Sequence, residues 1–301
     1  MPTETPTPVA NAPRFSPRLL IVLSLAALYL IWGSTYLAIR IALESYPPFV
    51  MGALRFLSAG VAVYAFQRWR GTPAPTRRQW LNCAFTGTLL LGLGNGLVCY
   101  AEQSVSSGLA AVAVASMPVF AAAFGVMFGH WTRRLETIGL VVGFAGVIVL
   151  NFGSDLRGSP LGAIALVVAS AAWAFGSLWS KRQDMPPPAM NTAAQMLTGG
   201  AALTVFALLS GESLPTAPTL NATLAVVYLA VFGSIIAFSA YLFLLKTVRP
   251  ALATSYAYVN PPVAVLIGAL LGGETVRLLD IAAMGVILAG VAIITLAKDK
   301  R

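Results

Sequence analysis

Residues able to hold a small solute recur along this chain at helical spacing. Trp32, Tyr36 and Arg40 stand four apart and share a helix face, and Trp173, Ser177 and Lys181 repeat the pattern. Indole and phenol faces attract an ammonium group by cation–π interaction, roughly 0.5–2 kcal/mol each. Tyr256 and Asn260 lie one turn apart, just before Pro261 and Pro262. Asn95 sits among glycines in GLGNG (92–96), with Tyr100 and Gln103 following, and Ser239 and Tyr241 occupy a later apolar run. Arg55 is embedded in another such run, about eight residues or 12 Å from its end. These groups suit noncovalent recognition: π faces, amides, hydroxyls and one cation. The expected substrate contacts are Trp32, Tyr36, Arg55, Asn95, Tyr100, Trp173, Ser239, Tyr256 and Asn260. Each has a plainer alternative. The two Trp either line a cavity or pack in the core, and each amide or hydroxyl either meets solute or bonds a neighbouring carbonyl. Arg55 either holds a substrate carboxylate or pairs with Glu44 or Glu102.

Covalent chemistry has no machinery here. The sequence contains no phosphate loop, no HExxH helix and no nucleophile elbow. His130 is the one histidine and has no metal partner in the pattern, so neither metal nor cofactor is expected. A membrane enzyme, the rival class, needs catalytic polar groups clustered at one depth. A channel would show a ring of like charges. Cys83 and Cys99 fall in one helix, about 24 Å apart and too far to bridge. The acids lie near helix ends, and Glu102 is the candidate if protons are coupled.

The elements that must carry these residues are membrane spans. The chain is 58% hydrophobic and 10% charged, with a mean hydropathy of +0.81, where globular domains carry about 25% charged residues. Ten continuous apolar runs lie near 19–43, 47–69, 79–103, 107–129, 135–153, 160–181, 188–210, 221–245, 250–272 and 278–297, each near the 20 residues that cross a bilayer. The Pro- and Thr-rich residues 1–18 and the short end 298–301 are expected as tails, the first disordered. A net charge of +9 reflects topology rather than nucleic-acid binding. With the N-terminus inside, Arg68, Arg70, Arg77, Arg78, Arg133, Arg134, Lys181, Arg182, Lys246 and Arg249 all fall on the cytoplasmic side. Only Arg157 and Arg277 fall outside, as the positive-inside rule requires. Both termini are then cytoplasmic.

An internal repeat organises the spans. Shifted by 144, residues 117–150 match 261–294, with Pro118 on Pro262, Gly129 on Gly273 and Gly146 on Gly290. Shifts of 140 and 141 match 47–60 with 187–200 and Trp32 with Trp173. The repeats, 19–153 and 160–297, hold five spans each, and five is odd, so the second is inverted. Inverted repeats are the architecture of many secondary transporters, with a site at the midplane formed by interrupted helices. Pro118, Pro261 and Pro262 are the expected breaks, either opening that site or only kinking helices for packing.

YLIWGSTYLAIRIALESYPPFVMGALRFLSAG (29–60), with PPVAVLIGALLGGETVRLLDIAAMGVILAGV (261–291), resembles the drug/metabolite transporter superfamily, specifically its EamA-type ten-helix members. The resemblance covers nearly the whole chain beyond the tail. The first half departs from it at GHW (129–131), where the second has GGE (272–274). It implies an inner-membrane exporter of amino acids or related metabolites. The alternatives are export of drugs or other cationic or sugar-like metabolites. The expected partners are a small-molecule substrate and the lipid bilayer. A single chain is expected to suffice, since the repeat supplies both halves.

Overall fold

The computed structural model describes residues 16–104, 114–150, 160–272 and 278–296. Most of the tail expected over 1–18, all of 298–301, and the expected external residues Arg157, Glu274 and Arg277 lie outside them. Among the described residues the chain forms α1 Pro17–Leu43, α2 Pro48–Trp69 and α3 Arg77–Ala101, then α4 Met117–Met127 and α5 Arg134–Leu150. The second half gives α6 Pro160–Ser180, α7 Pro188–Leu209 and α8 Leu220–Thr247, then α9 Tyr256–Gly272 and α10 Leu278–Leu296. Six of these, α1 to α3 and α6 to α8, are long and apolar enough to cross a membrane unaided.

Local chemistry sets the helix ends. Ser16, Thr76 and Thr219 cap α1, α3 and α8 by accepting from Leu19 N, Gln79 N and Ala222 N, satisfying donors that a helix start leaves open. Pro48 and Pro188 open α2 and α7 at a position where a missing N–H costs nothing. Gly71 and Gly211 follow the ends of those two helices with φ of 79° and 70°, the left-handed turn that terminates a helix. Flanks of the bundle are apolar: Ile164, Leu270 and Leu278 are 60–82% exposed, as lipid-facing residues are.

Packing repeats from half to half. α2 lies along α7, and α5 along α10; α1 packs on α8 and α9 as α6 packs on α3 and α4. Exchanging the halves therefore maps the bundle onto itself. Five crossings separate each helix from its counterpart, so counterparts run in opposite directions and the relating axis lies in the membrane plane. The chain is an all-α membrane protein built of two inverted five-helix repeats. Small residues make the central pairings close, as lipid demands: a Cβ on Gly290 would sit 2.5 Å from Gly143 N. One contact between the halves is a helix cap. Glu212, beyond α7, accepts from Phe49 N at 3.0 Å and Val50 N at 2.9 Å at the start of α2.

The interruptions are not where the prolines stand. Pro118 occupies the first turn of α4, following turn residues Ala115 and Ser116. α9 runs unbroken through Pro261 and Pro262, and its interruption is at Thr254–Ser255, between the short helix Pro250–Ala253 and Tyr256. A proline clashes with the carbonyl four residues earlier, here Ala257 and Tyr258, so distortion collects upstream of it. At the shift of 144, Ala115 aligns with Val259 inside α9, so the interruption near 115 has no matching break in the second repeat. Backbone freed near 254 is met by hydroxyls: Thr254 donates to Pro250 O and Ser255 to Leu252 O. Gly129 has φ of 76° beyond the end of α4, the left-handed turn that closes a helix.

Among the described residues three stretches are π-helical: 28–32 in α1, 88–95 in α3 and 229–236 in α8. The last two are repeat counterparts. π turns are rare and concentrate at functional sites.

Candidate functional site

A cavity of about 70 Å³ lies between the halves, lined by Trp32, Thr35, Tyr36, Ile39, Arg55, Gly94, Asn95, Val98, Val114, Met117, Trp173, Tyr256 and Asn260. Seven of the nine expected contacts are thus brought together from α1, α2, α3, α6 and α9. Tyr100 and Ser239 are not in the wall. Tyr100 is 38% exposed and stacks on Phe49 at 6.0 Å, and Ser239 is half-buried on α8. Tyr100 shares α3 with Asn95 but lies outside the wall, and α8, which carries Ser239, gives the wall no residue. Glu102 follows the end of α3, outside the wall, with its Oε1 buried and unpartnered. Arg40 is exposed.

Aromatic rings form the floor. Trp32 meets Tyr256 edge-on at 4.6 Å and Trp173 at 5.5 Å, and Tyr241 lies 5.5 Å from both Trp rings. Tyr241 is fully buried and its hydroxyl is 2.6 Å from Ser177 Oγ. Tyr256 donates to Met117 Sδ at 3.0 Å, tying α9 to α4. Edge-on aromatic pairs are worth about 0.5–1.5 kcal/mol beyond their buried area, so the box holds its shape without solute.

Arg55 is 2% exposed. Its Nε donates to Ser234 Oγ at 2.7 Å, its guanidinium carbon lies 4.7 Å over the Phe56 ring, and Nη1 has no partner. No carboxylate reaches it among the described residues, so the expected pairing with Glu44 or Glu102 is not formed. Ser234 and its neighbour Gly233 come from the π stretch of α8. There Ser234 donates to Leu229 O, five residues back, and Gly233 O accepts from Trp32 Nε1 at 3.0 Å. A Cβ on Gly233 would come within 2.7 Å of Arg55 Nη2. The residues that hold Arg55 and Trp32 in place are therefore ones that sequence reasoning passed over. A Gly–Ser pair inside an apolar run reads as packing, and nothing in its spacing points to Arg55.

Two further polar atoms in the wall are unengaged. Asn260 Oδ1 has no hydrogen-bond partner, although the Asn260 side chain interacts with the Tyr36 hydroxyl. Trp173 Nε1 lies near the Tyr241 hydroxyl without forming a hydrogen bond. Buried polar atoms are ordinarily paired. Here two donors and one acceptor are left without a partner on residues that line a single cavity. That set can receive a carboxylate on Arg55 and Trp173 and an ammonium on Asn260 and the aromatic faces.

Known proteins resemble the chain throughout its length. Residues 19–152 and 160–296 each match the EamA-like transporter family. The "uncharacterized inner membrane transporter YedA" of Escherichia coli strain K12 is 50% identical over 286 residues, spanning 95% of this chain and 94% of its own. The "uncharacterized transporter YoaV" of Bacillus subtilis strain 168 is 24% identical over 260 residues, 82% of this chain and 87% of its own. One solved crystal structure superposes with a TM-score of 0.77 at 24% identity, covering 92% of this chain and 97% of that one, a likeness of fold.

Proposed function

This chain belongs to the EamA-like transporter family, and on that premise we propose that it exports amino acids or closely related zwitterions across the inner membrane by alternating access. The observation that carries the substrate class is Arg55. A buried cation with an unpartnered Nη1 and, among the described residues, no acid beside it is costly in a membrane interior unless something pairs with it, and a carboxylate does so. Asn260 Oδ1 and the faces of Trp32 and Tyr256 suit the ammonium. A cationic drug would meet Arg55 as a like charge, and a neutral sugar would leave it unpaired. A volume of about 70 Å³ is far below the roughly 300–1,000 Å³ of drug-sized sites. This favours a small solute and requires the helices to part as it loads.

Arginine and lysine at one end of the bundle support cytoplasmic termini. The outward direction and the inner membrane are carried over from the family resemblance, and the repeat lets one chain supply both halves.

The test is uptake into inside-out vesicles. Labelled phenylalanine and leucine are compared with phenethylamine and isopentylamine, which lack only the carboxylate. Amino acids should accumulate at least about tenfold faster, the worth of one charge-assisted hydrogen-bond pair. Equal rates for the amines would refute the assignment.

A further inference from the structure

A second cavity, about 410 Å³, opens at the arginine-rich end of the bundle, between the end of α4, the start of α5, the end of α6 and the turn before α9. α4 links the two spaces: Met117 lines the first and Ala121 the second, one turn or about 6 Å further on. The Tyr256–Met117 hydrogen bond stands at that divide.

Among the described residues lining this second cavity, cations outnumber acids. Its one acid, Glu136, is 3% exposed and already engaged, accepting from Arg249 Nη2 at 2.7 Å and Arg133 N at 3.1 Å. Lys181, half-buried in the wall, makes no hydrogen bond or ion pair with any described residue. We propose that this cavity is a loading vestibule in which Lys181 captures the carboxylate of a solute before the solute passes Met117 and Tyr256 to reach Arg55. The vestibule has the volume for a whole small solute that the central cavity lacks. The inference rests on the carboxylate reading of the central site, and extends it to a second, earlier contact.

The test places a thiol in the vestibule as Ala122→Cys, with Thr132→Cys as a second position should the first not fold. Native Cys83 and Cys99 are fully buried and do not compete. The full chain, in phosphatidylcholine nanodiscs, is labelled with anionic and cationic methanethiosulfonates, each rate normalised to that of a free thiol. The anionic reagent should be favoured about tenfold at low salt, an advantage lost in 1 M salt and cut to threefold or less by Lys181→Met. Sodium acetate at 50 mM should slow N-ethylmaleimide at least twofold against equal chloride, and should do nothing in Lys181→Met.

Equal normalised rates, no acetate protection, or indifference to Lys181→Met would each overturn the proposal. So would loss of the anion preference when phosphatidylglycerol is added, since a lipid headgroup would then own the site. Arg55→Gln should leave all these readings intact. Failure at the central cavity is therefore separable from failure here.

Discussion

Arg55 explains why the cavity is built as it is. A guanidinium with one neutral partner and one open nitrogen keeps its charge available for something that arrives. Ser234 orients it through a single hydrogen bond of 2.7 Å, so Ser234→Ala should let the side chain drift. Such a bond is worth about 0.5–1.5 kcal/mol, or about two- to tenfold in transport efficiency at low substrate, with membrane abundance unchanged. Initial uptake rates and immunoblots check both halves of this expectation. Trp173 shows how far pairing departs from the repeat's symmetry. Its counterpart Trp32 donates to Gly233 O, whereas Trp173 Nε1 has no hydrogen-bond partner.

At the scale of elements, the π stretches of α3 and α8 shape the site. A π turn widens the helix and turns a carbonyl and a side chain away from the regular ladder. In α8 these are Gly233 O, which meets Trp32, and Ser234, which meets Arg55. Gly233 is tied to this arrangement, since its Cβ would lie 2.7 Å from Arg55 Nη2 and 3.2 Å from Thr35 Cγ2. Gly233→Ala should push the guanidinium aside, lowering transport of carboxylate solutes about tenfold, because a site tolerates only about 0.5 Å of misplacement. The purified protein's melting temperature should barely move. None of this was legible in the sequence, because a π stretch has no composition of its own. Helix ends were legible: the apolar runs near 47–69, 188–210 and 278–297 end within a residue of Pro48–Trp69, Pro188–Leu209 and Leu278–Leu296. Proline was legible as a mark but not as a place. Pro118 looks the same in an apolar run whether it opens a helix or interrupts one, and only the fold puts it in the first turn of α4.

The whole molecule is two copies of one packing solution facing each other, and stability and selectivity should separate along that line. α5 and α10 cross so closely that a methyl on Gly290 would lie 2.5 Å from Gly143 N and 2.7 Å from its Cα, backbone that cannot give way. Gly290→Ala should therefore cost about 1–3 kcal/mol of stability, read as a lower melting temperature in detergent. The protein that still folds should keep its preference for amino acids over amines. The repeat itself was readable from residue identities alone, since Gly146 and Gly290 or Trp32 and Trp173 recur at nearly constant offset. Which residues meet the cavity was not, so Tyr100 and Ser239 fell outside the wall while Trp32 and Asn260 fell within it. What decides the account is whether Arg55 reads the carboxylate. In Arg55→Gln vesicles, at matched protein level, the phenylalanine-to-phenethylamine rate ratio should fall from at least about ten to near one, the loss of about 1.5–3 kcal/mol of charge-assisted bonding. A ratio that stayed at its wild-type value would mean that solute is recognised elsewhere.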